Sequence, residues 1–92
     1  MLVLPAELTH AQAPTALDLL QRAARAESGD VVCVDAAGLA LFDSSALAVL
    51  LALRRTCRLE QKSLVVRGLS ERLRSLADLY GISALLPDEA AA

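Results

Sequence analysis

Three neighbouring polar residues, Asp43, Ser44 and Ser45, are the group in this chain best suited to chemistry or recognition. They precede an uninterrupted apolar run, Ala46 to Leu53, which predicts a helix that begins at this point. A side-chain oxygen at a helix start accepts a hydrogen bond from a backbone N–H, and Ser44 is the better candidate for this cap, with Asp43 the alternate. The same N–H groups and the helix dipole favour a phosphate, so both serines are also candidates for phosphorylation.

The residue types that usually carry catalysis are few and scattered. His10 is the only histidine, and it lies in a predicted polar turn remote in sequence from Cys33, Cys57 and the serines. A serine or cysteine nucleophile normally needs a positioned base. The two cysteines have no metal-ligand spacing, and we interpret Cys33 as a small core side chain and Cys57 as a helix-face residue. We therefore expect no catalytic residue, no metal site and no cofactor.

The elements that must position the serines follow an α/β pattern. Val31 to Val34 is a run of β-formers without alternation, which predicts a strand covered on both faces, and Leu64 to Val66 predicts a second such strand. Helices are expected from Ala13 to Ala26 and from Ser70 to Tyr80, with Gly81 as the C-terminal cap of the latter. Right-handed crossovers are then expected to place the sheet between helical layers.

Shorter segments complete this prediction. Leu2 to Leu4 is expected to form a strand and Glu7 to His10 a polar turn. Ile82 to Leu86 is expected to pack back on the sheet, and Asp88 to Ala92 to fray. The apolar side of the last helix is predicted to consist of Leu73, Leu76, Leu79 and Tyr80.

Composition limits the classes of protein to be considered. The chain has 92 residues, and its longest apolar run is far shorter than the roughly 20 residues that span a bilayer. No basic segment precedes an apolar stretch at the N-terminus. We therefore expect a soluble cytoplasmic protein with one domain over residues 1–92.

The charge is unevenly distributed, although its net value is only −2. Seven basic residues lie between Arg54 and Arg74, against Glu60 and Glu71. This stretch is either a docking face for an acidic partner or lipid headgroups, or a set of ordinary solvated helix ends. Nucleic acid is not expected as a partner, because the chain is acidic overall and has only two aromatic residues for stacking. The seven basic residues are Arg54, Arg55, Arg58, Lys62, Arg67, Arg72 and Arg74.

The central segment resembles the STAS domain family, in which a strand is followed by D-S/T-S/G-G/A-L and an apolar helix. The matching residues here are Asp43 to Leu47. The opening Leu2 to Leu8, L-V-L-P-A-E-L, and the closing Leu76 to Tyr80, L-A-D-L-Y, followed by Leu86-Pro87, are similar to those of MlaB-type subunits. The resemblance covers nearly the whole chain and implies a small mixed or parallel sheet packed with three main helices.

Family members usually open with an additional strand, and no such strand precedes Leu2 in this sequence. Either the usual first strand is missing, or the true start lies upstream. In the former case, an exposed sheet edge is available to a partner or to a second copy that would form a homodimer.

The resemblance also implies a function. MlaB-type subunits are non-enzymatic and bind the ATPase of the Mla phospholipid-transport ABC complex, which maintains outer-membrane lipid asymmetry, so a position on the cytoplasmic side of the inner membrane is implied. In the alternative branch, anti-sigma-factor antagonists bind a kinase that phosphorylates the second hydroxyl of the motif, which corresponds to Ser45. Ser44 takes the position of a threonine in the MlaB loop. The implied partner-binding residues are Asp43, Ser44, Ser45, Leu47 and Arg54.

Overall fold

Strands and helices alternate along residues 1–86, the part of the chain that the computed structural model describes. Three helices pack on a small parallel sheet, which confirms the predicted α/β fold class. The elements in chain order are β1 (Leu2–Val3), β2 (Glu7–Leu8), α1 (Ala13–Ala26), β3 (Val31–Asp35), β4 (Leu41–Phe42), α2 (Ser44–Leu59), β5 (Ser63–Arg67) and α3 (Glu71–Leu79), followed by a 3-10 turn (Ser83–Leu85).

The main sheet has the strand order β1-β3-β5, and both of its strand pairs are parallel. A second, two-stranded parallel sheet joins β2 to β4, with Glu7 paired to Leu41 and Leu8 to Phe42. The prediction of a turn over Glu7 to His10 is therefore wrong for its first two residues. Strands β1 and β5 are the edges of the main sheet within the described residues, and the pairing of either edge with another chain stays a prediction.

Only one face of the main sheet is covered. Val32 and Val34 of β3 are fully buried, whereas Val31 is 57% exposed and Val3 of β1 is 65% exposed. Each new strand is added on the same side of the one before it, so right-handed crossovers place α1 and α2 on the same face. The predictions of strands covered on both faces, and of a sheet between helical layers, are therefore wrong.

The core lies between this covered face and the helices. Helix α1 packs against α2 and buries Leu20 and Ala24. Helix α3 contributes Leu73 and Ala77, which are one helical turn apart. The buried residues of α2 are Ala46, Leu47, Val49, Leu50, Leu53, Thr56 and Cys57.

Three residues that the sequence predicts to lie in the apolar interior do not lie there. Leu79 and Tyr80 are 79% and 57% exposed, because the buried side of α3 is centred on Leu73 and Ala77 and the helix ends at Leu79. Cys33 is only half-buried, because it points to the uncovered face of the sheet, whereas Cys57 is completely buried.

The chain after α3 returns to the core as predicted. Gly81 has φ +70°, a left-handed conformation that suits glycine and ends the helix. Leu86 is buried against the core. The predicted fraying of Asp88 to Ala92 lies outside the described residues. Across residues 1–86, no helix is both long enough and apolar enough to cross a membrane.

Lys62, which directly precedes β5, links this part of the chain to the C-terminal end of α1. Its Nζ donates hydrogen bonds to the carbonyl oxygens of Ala24, at 2.8 Å, and of Glu27, both at the C-terminal end of α1. A cation at this position adds a strong donor to carbonyl groups at the C-terminal end of the helix, of which the Ala24 carbonyl oxygen also accepts a hydrogen bond from the Glu27 N–H. Lys62 therefore belongs to the scaffold, and it is no longer a candidate for the docking face that is one of the two interpretations of the charge distribution.

Candidate functional site

The start of α2 is capped by Asp43. Its backbone is extended, and its Oδ1 accepts a hydrogen bond from the Ser45 backbone N–H at 2.8 Å. Ser44 is the first helical residue. The preferred assignment of Ser44 as the cap is therefore wrong, and the alternate, Asp43, is correct. We call Asp43, Ser44 and Ser45 the Ser44 corner.

Asp43 also holds a second segment of the chain in place. Its Oδ2 accepts a hydrogen bond from the backbone N–H of His10 at 3.1 Å. The pairing of β2 with β4 brings His10 to this position, because these strands end directly before His10 and Asp43 respectively. The sequence gives no signal for this contact, because it uses the backbone N–H of His10 and not the histidine side chain.

These two hydrogen bonds stabilise the negative charge of Asp43. The N–H of Ser45 and then that of His10 hold the pKa of the Asp43 carboxyl below its ordinary value, because both stabilise the carboxylate. At neutral pH Asp43 is therefore a negatively charged acceptor that is already engaged. The Ser45 hydroxyl also stabilises this carboxylate, so the exposed Ser44 is the serine that offers its hydroxyl to another partner.

The predicted partner-binding residues do not all lie on one surface. Ser44 is exposed and Ser45 is half-buried, both beside Asp43. Leu47 is only 3% exposed and supports the corner from inside the core, without a surface of its own to offer. Arg54 lies ten residues after Ser44, which is about 15 Å along the helix. The structure thus brings together Asp43, Ser44 and Ser45, and it places Leu47 and Arg54 away from their surface.

An apolar hollow adjoins the Ser44 corner. It lies between the end of β4 and α3, and Arg72 places its Cζ 5.3 Å from the centre of the Phe42 ring. Leu79, which was predicted to be in the core, lines this hollow and is exposed. We call it the Phe42 hollow; its lining residues are Phe42, Glu71, Arg72, Ser75, Leu76 and Leu79.

The outward side of α2 extends the Ser44 corner along the helix. Ser44, Ala48, Leu51 and Arg55 follow one another at intervals of four, three and four residues, which places them on one side of the helix. Ser44, Ala48 and Arg55 are exposed, and Leu51 is half-buried. The apolar run that predicts α2 therefore includes a strip that is open to a partner.

A comparison with families of known proteins decides what kind of domain this is. A family model described as "Mlab, STAS domain" matches residues 1–87, which is nearly the full length of the chain. The chain belongs to the MlaB-type STAS domain family. The resemblance of the D-S-S-A-L segment and of the opening and closing segments is thereby confirmed. A search of curated proteins finds none that matches the chain.

The side-chain chemistry of this STAS domain suits binding. Burial raises the pKa of the Cys57 thiol, which keeps it protonated at neutral pH and weakens it as a nucleophile. Within residues 1–86, no group of three or more His, Cys, Asp or Glu side chains is arranged to hold a metal ion. The corner itself offers hydroxyls, a fixed carboxylate and adjoining apolar side chains, which are the components of a protein–protein contact.

Proposed function

We propose that this STAS domain is a non-enzymatic subunit that binds and supports the ATPase of an Mla-type ABC phospholipid transporter. The Ser44 corner and the outward side of α2 form the contact. The proposal places the protein at the cytoplasmic side of the inner membrane, held there through the transporter complex that maintains outer-membrane lipid asymmetry. The family match supports the MlaB-type branch, on which this proposal rests.

The observation that carries this proposal is the double hydrogen bonding of Asp43. One carboxylate fixes both the first turn of α2 and the segment after β2, through Ser45 and His10. The exposed Ser44 is therefore presented in a defined position before any partner arrives. A pre-organised surface loses little conformational entropy on binding, and this favours affinity.

The apolar surroundings of the corner favour a macromolecular partner. Leu79 in the Phe42 hollow and Ala48 on α2 are both exposed. Apolar side chains around a small polar centre are typical of interface cores, where burial provides affinity and hydrogen bonds provide orientation. An ATPase surface that covers Ser44 would bury these side chains as well.

Co-purification with the ATPase tests the proposal. Ser44→Arg places a long charged side chain at the centre of the contact and is expected to reduce the amount of co-purified ATPase at least ten-fold. Ser28→Arg is the matched control, because Ser28 is also exposed but lies in the connection after α1. Far-UV circular dichroism checks that both variants fold. Wild-type recovery of the ATPase with Ser44→Arg would show that the contact lies elsewhere.

The alternative function is that of an anti-sigma-factor antagonist controlled by serine phosphorylation. Two hydroxyls at the start of α2 favour it, because backbone N–H groups there stabilise a phosphate. A phosphate beside the Asp43 carboxylate would introduce repulsion that releases a partner. Incubation with the kinase and ATP, followed by tandem mass spectrometry, is then expected to locate one phosphoryl group on Ser45. Modification of Ser44 alone would contradict the family correspondence.

A further inference from the structure

Three arginines at the C-terminal end of α2 have no acidic partner among residues 1–86. Arg54, Arg55 and Arg58 occupy its last two turns. None of the three takes part in the ion pairs found among residues 1–86. Arg55 and Arg58 are exposed, whereas Arg54 is half-buried. Three positive charges are therefore concentrated on one short surface without internal neutralisation.

Helix capping explains only one of these arginines. A cation near a helix C-terminus stabilises the exposed carbonyl groups, but this effect is confined to about the last turn. Arg58 is in the last turn of α2, which ends at Leu59. Arg54 and Arg55 precede that turn and gain little from the dipole. Their charges are therefore available to a partner.

The arginines line a groove together with leucines. Arg54 and Arg58 stand between two adjacent hollows, one toward the start of β5 and one along α2, and Leu85 lines both. Leu59 projects at the end of the helix and is 79% exposed. We call this surface the arginine groove; its principal residues are Leu51, Arg54, Arg55, Arg58, Leu59 and Leu85.

We propose that the arginine groove binds an acidic amphipathic helix of a partner protein. Leucines and arginines side by side match a helix that presents leucine-type side chains in one stripe and carboxylates along its border. Guanidinium groups bind carboxylates in a planar, two-pronged geometry. The groove shares Leu51 and Arg55 with the outward side of α2, but its centre lies at the opposite end of the helix from Ser44, so variants at Ser44 and at Arg58 test the two proposals separately.

The shape and charge of the groove favour a protein helix over a membrane surface. Glu60 is exposed directly after Leu59, and a flat anionic bilayer that reached the arginines would also approach this carboxylate. A helix can place its own acidic residues opposite Arg55 and Arg58 and leave Glu60 in solvent. It can also enter the hollow beside Leu85, which a flat surface cannot reach.

Both kinds of side chain are needed for binding. Exposed ion pairs alone contribute little free energy, so the leucines must provide much of the affinity and the arginines the choice of partner. Loss of either is therefore expected to weaken binding. Higher salt is expected to weaken it too, because the ion pairs are accessible to solvent.

Fluorescence anisotropy with a designed peptide tests this proposal. The probe is a fluorescein-labelled helical peptide with leucines on one face and glutamates on either side of them, and a second peptide replaces every glutamate by glutamine. Wild-type protein is expected to bind the glutamate peptide at least ten-fold more tightly. Arg55→Gln/Arg58→Gln is expected to remove this preference, and Leu59→Ser to weaken the binding of both peptides.

Matched variants separate groove binding from general charge attraction. Arg22→Gln/Arg25→Gln removes the same charge from exposed positions on α1 and is expected to bind the glutamate peptide like wild type. Equal loss in both double variants, or equal binding of the two peptides by wild type, would overturn the proposal. Vesicles of phosphatidylcholine and phosphatidylglycerol provide the membrane arm. Arginine-dependent binding to the vesicles without peptide binding would assign the groove to lipid instead.

The Ser44→Arg variant distinguishes this proposal from the ATPase proposal. It is expected to bind the glutamate peptide like wild type, because the groove lies at the other end of α2. NMR amide shifts caused by the peptide are expected at residues 51–59 and 84–86. Shifts confined to residues 43–45 would show that the peptide uses the Ser44 corner, and the arginine groove would then be rejected.

Discussion

The Asp43 carboxylate and the His10 backbone N–H, 3.1 Å apart, join the start of α2 to the segment that follows β2. The same carboxylate caps α2 through the N–H of Ser45. The position of Ser44 therefore depends on two parts of the chain that are 33 residues apart in sequence. One side chain thus both caps the helix and fixes the tertiary position of the corner.

Replacement of Asp43 tests this coupling. Asp43→Ala removes both hydrogen bonds and is expected to lower the urea midpoint of unfolding and to broaden the amide NMR signals of His10 and Ser45. Asp43→Asn keeps one carbonyl oxygen as an acceptor and is expected to be affected less. Unchanged signals of His10 in Asp43→Ala would show that β2 alone holds this segment in place.

The stability of the domain is expected to depend on pH through Asp43. Its pKa is lower in the folded state than in the unfolded state, because the N–H groups of Ser45 and His10 stabilise the charged form. Its contribution is therefore complete above the unfolded pKa of about 3.9 and is lost as pH falls through the lower folded value. Urea unfolding between pH 6 and pH 2, with Asp43→Asn for comparison, measures this contribution. Parallel pH profiles of the two proteins would contradict it.

Lys62 is expected to contribute strongly to stability. Lys62→Met removes the hydrogen bonds to the carbonyl oxygens of Ala24 and Glu27 while keeping an unbranched side chain. Charged hydrogen bonds of this kind are worth about 1.5–3 kcal/mol, so the free energy of unfolding is expected to fall by roughly that amount. Arg55→Met is the control, since it removes one exposed positive charge and is expected to change stability by less than about 0.5 kcal/mol. Equal effects in the two variants would show that the Lys62 contacts contribute little.

Substitution by lysine is expected to affect stability very differently at two adjacent residues of β3. Val31→Lys places the ammonium group on the uncovered face and is expected to change the free energy of unfolding by less than about 0.5 kcal/mol. Val32→Lys places it in the core without a partner and is expected to prevent folding. Circular dichroism and urea unfolding measure both results. Comparable damage from the two substitutions would mean that the second face is also covered.

The two cysteines are expected to differ in reactivity. Cys33 is half-buried on the uncovered face of the sheet, whereas Cys57 is buried and its thiol has a raised pKa. In the native protein, N-ethylmaleimide is therefore expected to modify Cys33 first and Cys57 only at the rate of unfolding. Mass spectrometry of Cys33→Ser and Cys57→Ser identifies each reaction. Equal rates in urea provide the control, and faster native modification of Cys57 would contradict its placement.

Much of the local structure could be predicted from the sequence. Helix α1 has the predicted bounds, Ala13–Ala26, because Pro14 favours its first turn and its apolar residues follow a helical period. The sequence also predicts the start of α2 to within one residue. The choice between Asp43 and Ser44 as its cap could not be settled locally, since both residue types cap helices and the decisive second contact comes from His10.

The relative positions of the elements were harder to predict. An apolar strand such as Val31 to Val34 is compatible with cover on one face or two, and only the strand order settles which. The exposure of Leu79 was missed because its residue type suggested the core, although its place relative to Leu73 and Ala77 turns it away. The Phe42 hollow combines β4 with α3, so no single segment indicates it.

Helix α2 carries the Ser44 corner at one end and the arginine groove at the other, over 16 residues or about 24 Å. Two bound proteins would thus be held at a fixed spacing and a fixed angle by one rigid rod. A single residue inserted in its middle would rotate one end by about 100° relative to the other. The length of this helix is therefore as much a part of the recognition as the side chains at its ends.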